Sequence, residues 1–64
     1  MQIKYNKEND IVYIQLSEAP IAESDEDKKG VIIDYADDGS IVGIEILNAS
    51  KNLNDPSDIK YVAA

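Results

Sequence analysis

The side chains of this chain best suited to chemistry are its acids. Asp34 and Glu45 lie in two β-branched, apolar-rich segments and would share one sheet face, which makes them the best-placed pair for general acid–base work. Asp34, Asp37 and Asp38 stand beside Gly39 and offer oxygens to a hard cation. A calcium loop needs acids at alternate positions and a distal bidentate glutamate, and Asp34-x-x-Asp37-Asp38-Gly39 has the wrong spacing. A tight turn between strands accounts for the same residues. Acyl transfer needs an activated nucleophile with a base beside it. The chain has five serines but no histidine and no cysteine, and no serine–lysine motif stands out. Three scattered glycines make no phosphate loop. No catalytic residue, metal ligand or cofactor is expected, and the chain reads as a non-enzyme.

These residues need a scaffold, and 64 residues allow one small domain, 1–64. A chain this short buries only about 60% of the surface that it exposes when unfolded, so its core is marginal. Without cysteines it has no disulfide or thiolate metal site to compensate, which leaves association as the available support. The longest apolar runs, Val31-Ile32-Ile33 and Ile41-Val42, are far too short to cross a bilayer. The first residues, Met1-Gln2-Ile3-Lys4-Tyr5, lack the basic start and apolar stretch of a signal peptide, and a cytoplasmic location is expected.

Acids outnumber bases 13 to 6, all six bases are lysines, and the net charge is −7. Nucleic acid would be repelled, and no arginine fork is present to read a base or phosphate. A basic protein partner is electrostatically permitted. The same charge also serves plain solubility.

Four segments alternate in the manner of strands: Gln2 to Asn6, Ile11 to Leu16, Gly30 to Tyr35, and Ile41 to Leu47. Asp38-Gly39 suits a two-residue type I′ loop. That loop pairs Tyr35 with Val42, Ile33 with Ile44 and Val31 with Ile46, all apolar and on one face. A three-residue loop would instead set Ile33 against Gly43 and Val31 against Glu45. At the N-terminus, Tyr5 with Val12 and Ile3 with Ile14 give the same kind of match. The expected core face is Ile3, Tyr5, Val12, Ile14, Leu16, Val31, Ile33, Tyr35, Val42, Ile44 and Ile46.

The other face is mixed: Lys4, Ile11, Tyr13, Gln15, Ile32, Asp34, Ile41 and Glu45. Ile11, Tyr13, Ile32 and Ile41 exceed what solvent requires and are the candidate interface. Tyr5, Tyr13, Tyr35 and Tyr61 could anchor an interface, although strand tyrosines also pack ordinarily with a wet tip. Ser17 to Lys29, with Glu23-Ser24-Asp25-Glu26-Asp27, is expected to be a long solvated loop. After Leu47 the period changes. Asn48 can cap a helical turn through Leu53, and Asp55-Pro56-Ser57-Asp58 reads as the start of a short C-terminal helix carrying Ile59, Val62 and Ala63. A strand over Ile59 to Val62 competes with that helix.

Together these blocks resemble a known family. Tyr13-Ile14-Gln15-Leu16-Ser17, Ile21-Ala22-Glu23-Ser24, Gly30-Val31-Ile32-Ile33-Asp34-Tyr35, Asp38-Gly39 and Ile41 through Ser50 look like the small proteins called domain of unknown function 2283, the YuzE-like proteins. The resemblance covers residues 1 to about 53 and leaves 54–64 as an extension. Many members carry aspartate at the positions of Asn6 and Asn48, so an acidic site there is not expected. The resemblance implies a β-rich domain of prokaryotic source with no established activity. For some relatives it points to toxin–antitoxin-like pairing.

The fold expected is α+β: a four-stranded antiparallel sheet, mostly a meander, with a short C-terminal helix. The function expected is a non-enzymatic protein-interaction module that forms a homodimer or higher even oligomer, with an antitoxin-like or accessory role beside another protein. The alternative is a small-ligand or divalent-cation-binding domain.

Overall fold

The computed structural model describes residues 1–64. Five strands form one antiparallel sheet: β1 Gln2–Asn6, β2 Ile11–Gln15, β3 Glu23–Lys28, β4 Val31–Tyr35 and β5 Ile41–Ile46. One helical turn, α1 Ala49–Asn52, follows. The spatial order is β1-β2-β5-β4-β3. A hairpin (β1–β2) therefore lies beside a three-stranded meander (β3–β5), and the connection after β2 runs to the far edge.

The apolar matching holds for most of both hairpins. Ile3 faces Ile14, Tyr5 faces Val12, Ile33 faces Ile44 and Val31 faces Ile46. Ile14 also faces Ile44 across β2 and β5, so Ile3, Ile14, Ile44 and Ile33 form one apolar row over four strands.

Three expectations are corrected. The sheet has five strands, because Glu23–Lys28 is a strand and not a solvated loop. It has no hydrophobic residue of its own, and it is ordered by pairing with β4, Asp25 opposite Ile33 and Glu23 opposite Tyr35. Tyr35 faces Ile41 rather than Val42. The turn is a three-residue loop, in which Gly39 N–H donates to Ala36 O and Ala36 N–H to Ser40 O, with Gly39 at φ 85°. Only glycine takes that conformation without strain. A β-bulge at Val42 then absorbs the extra residue and restores Ile33 to Ile44. Finally, residues 55–63 form no helix and no strand. Asp55 closes a single turn by accepting from the Ser57 amide and hydroxyl, and the turn does not propagate.

The helical turn expected from Asn48 is present, but not by side-chain capping. Asn48 sits in the left-handed region at φ 51°, and its side chain makes no cap bond.

The sheet is a single layer, so its core is thin. Val12 and Val42 are 2% exposed, and Ala49, Gly30, Gly43, Pro56 and Asp34 complete the buried set. Leu53 is half-buried, and Asp55 lies within electrostatic reach of Tyr5 and Lys7. The segment after α1 thus returns to the β1 end of the sheet.

Candidate functional site

Cross-strand partners share a face. On the polar face, Gln15, Gly43, Asp34 and Ser24 form one row, and Lys4, Tyr13, Glu45, Ile32 and Glu26 form the next. Gly43 leaves a gap in the first row, and the Tyr13 ring fills it. A Cβ at Gly43 would lie 2.7 Å from Tyr13 Cζ. From there the Tyr13 hydroxyl lies close enough to Asp34 for the acid to raise its pKa. Ser24 Oγ donates to Asp34 Oδ1 at 2.5 Å.

Asp34 is 5% exposed, and a buried carboxylate is costly unless hydrogen-bonded. Its hydroxyl donor, Ser24, comes from β3, so this acid on β4 ties the edge strand to the sheet, with Tyr13 of β2 beside it. Burial, then the Asp34 charge and its hydrogen bond, then Glu45, push the Tyr13 hydroxyl above the ordinary tyrosine range. Tyr13 is therefore held neutral. Asp34 Oδ1 accepts from Ser24, and no hydrogen bond joins Asp34 to Glu45. The sequence gives no sign of Ser24 as a partner, because β3 lacks the apolar alternation of a strand.

A second acid organises the opposite end. Asp10 sits at φ 56° in the β1–β2 turn. Tyr5 Oη donates to its Oδ1 at 2.8 Å, Ser50 N to Oδ1 at 2.9 Å, and Ser50 Oγ to Oδ2 at 2.7 Å. Ala49 N–H donates to the Asp10 carbonyl at 2.9 Å. These bonds fasten α1 to the first hairpin. The Ser50 hydroxyl, followed by Tyr5, holds the Asp10 carboxyl below the ordinary aspartate range. The spacing of Asp10 and Ser50 in sequence gives no hint of this contact.

Asp38 serves its own turn. Its Oδ1 accepts from Ser40 N and Ser40 Oγ at 2.9 and 2.6 Å, and the Ser40 hydroxyl lowers its pKa. Asp34, Asp37 and Asp38 are not gathered around one point, and no three carboxylates are placed to hold a metal ion.

The four candidate interface residues do not stay together. Ile11, Tyr13 and Ile32 lie on the polar face and are half-buried. Tyr13 is committed to Gly43 and Asp34. The bulge at Val42 puts Ile41 opposite Tyr35, and so on the apolar face. That face is the open one: Ile3 and Leu16 are each 40% exposed and Ile41 is 42% exposed. At its β3–β4 end a shallow cleft of about 380 Å³ is lined by Glu23, Asp25 and Asp37 around Tyr35.

The architecture defines a single-layer antiparallel β domain closed by one helical turn, with one satisfied polar face and one half-open apolar face. No helix is long and apolar enough to cross a membrane. The chain belongs to the family described as Protein of unknown function (DUF2283), whose model matches residues 2–50. No curated protein and no solved structure matches it.

Proposed function

We propose that this protein is a non-enzymatic interaction module that works by self-association, and that the surface it uses is the apolar sheet face. The observation that carries this reading is the row of Ile3, Ile14, Ile44 and Ile33, half-buried apart from the exposed Ile3, with Leu16 and Ile41 exposed beside it. A sheet with one apolar face needs a second layer, and α1 is one turn long. A second copy supplies that layer. The polar face is a poorer surface, because its tyrosine packs over Gly43 and its buried acid accepts from Ser24.

Sedimentation equilibrium of the full chain at low and moderate salt tests the reading. Association is expected, and it should strengthen with salt as the repulsion between copies of charge −7 is screened. Ile41→Asp should shift the equilibrium to monomer, whereas Ile32→Asp, equal in charge but on the other face, should not. A monomer at high micromolar concentration in both buffers would overturn the proposal.

A further inference from the structure

The segment after Pro56 is unusual in its own fold. Tyr61 and Val62 are 85% and 80% exposed, and Ile59 is exposed as well. No backbone hydrogen bond reaches residues 59–64, the last being Asp58 N–H to Asp55 O. The segment lies beyond the part of the chain matched by the family, and between Ile59 and Ala64 it holds one lysine and no acid. Counted from Asp58, this is an apolar stretch with no net side-chain charge in a chain of charge −7. Its root is fixed, since Pro56 is buried and Asp55 lies near Tyr5 and Lys7.

The same molecule carries a surface of matching character. The open apolar face ends on β3 at the cleft of Glu23, Asp25 and Asp37. Size also matters. Five strands about 4.8 Å apart and about five residues long outline a patch of roughly 300 Å². A stable interface takes about 800 Å² per partner, so even with allowance for side-chain relief the face alone falls short. Seven extended residues reach about 23 Å, enough to cross a sheet about 19 Å wide.

We infer that residues 58–64 of one copy lie across the open apolar face of a second copy, in reciprocal exchange. Extended, Ile59 and Tyr61 point to one side and meet the isoleucine row. Lys60 alternates to the outer side, where its charge lessens the repulsion between copies of charge −7. This inference rests on the self-association reading and names the segment that completes it.

The test uses the full chain and Ile59→Asp/Tyr61→Asp, compared by sedimentation equilibrium and by the rate of tryptic cleavage after Lys60. Both side chains are exposed and no backbone hydrogen bond reaches them, so circular dichroism of the variant should match that of the parent. The expected result is at least tenfold weaker association of the variant, with cleavage of the parent after Lys60 slowing as its concentration rises through the association range. A parent that associates, with a variant that associates equally well or a cleavage rate independent of concentration, overturns the arm and leaves self-association through the face standing. A parent that remains monomeric overturns both.

Discussion

The ring of Tyr13, on β2, lies across Gly43, on the neighbouring strand β5, where any Cβ would overlap it. Gly43→Ala should therefore cost about 1–3 kcal/mol, the usual range for overpacking a tight site. Tyr13→Ala removes the obstacle, so the double variant should be more stable than the two single losses combined would give. Urea denaturation of the three variants measures this coupling. Strict additivity would show that the two side chains do not meet.

The β4–β5 turn separates backbone strain from crowding. Gly39 has φ 85°, and nothing lies within 4 Å of the position its Cβ would take. Gly39→Val should cost roughly 1–2 kcal/mol through backbone conformation alone. Gly39→Asn should cost much less, because asparagine tolerates the left-handed region. Equal midpoints for both variants would contradict the turn described.

Acid should loosen the fold through Asp10, Asp38 and Asp55. All three carboxyls are held below their ordinary value, each chiefly by a serine hydroxyl: Ser50, Ser40 and Ser57. A lowered folded-state pKa contributes stability that is present above the unfolded value of about 3.9 and is lost as pH falls through the folded value. The melting temperature should be flat above about pH 5 and fall below it. Asp10→Asn should melt lower near neutrality and lose less on acidification. On the alkaline side Tyr5 and Tyr13 are both raised, so their contribution should hold below about pH 10 and disappear as pH climbs through the raised values.

The thin core should also show in the mutational ranking. Val12 is buried and Ile11 is half-buried. Val12→Ala should cost about 1–3 kcal/mol, from lost methyl burial plus the cavity left behind. Ile11→Ala should cost less, although it deletes more atoms. Thermal unfolding of both at a concentration low enough to keep the chain monomeric makes the comparison.

The sequence made the registers of Ile3 with Ile14 and Ile33 with Ile44 legible because a slip by one residue would put isoleucines against polar groups. It did not reveal β3, since Glu23–Lys28 has no apolar alternation and takes its conformation from β4. The placement of Tyr35 and Ile41 depended on a bulge at Val42. A bulge costs the pattern nothing beyond it, and so it leaves no trace in the pattern. Asp55-Pro56-Ser57-Asp58 has good helix-start chemistry, yet no neighbouring surface receives the stripe that would follow. Asp34 was singled out as an acid, but its partner Ser24 was visible only once β3 was in place.

The β2–β5 ladder is where the two halves of the sheet meet. Each hairpin pairs residues close together along the chain, whereas this seam pairs Val12 with Ile46 and Gln15 with Gly43. Closing so long a loop costs chain entropy before any contact repays it, and such non-local pairings are the slow ones to form. The seam is therefore the pairing expected to form last. Neither half has a second layer of its own, and a two-stranded hairpin alone is marginal in water, so weakening the seam should destabilise both halves together.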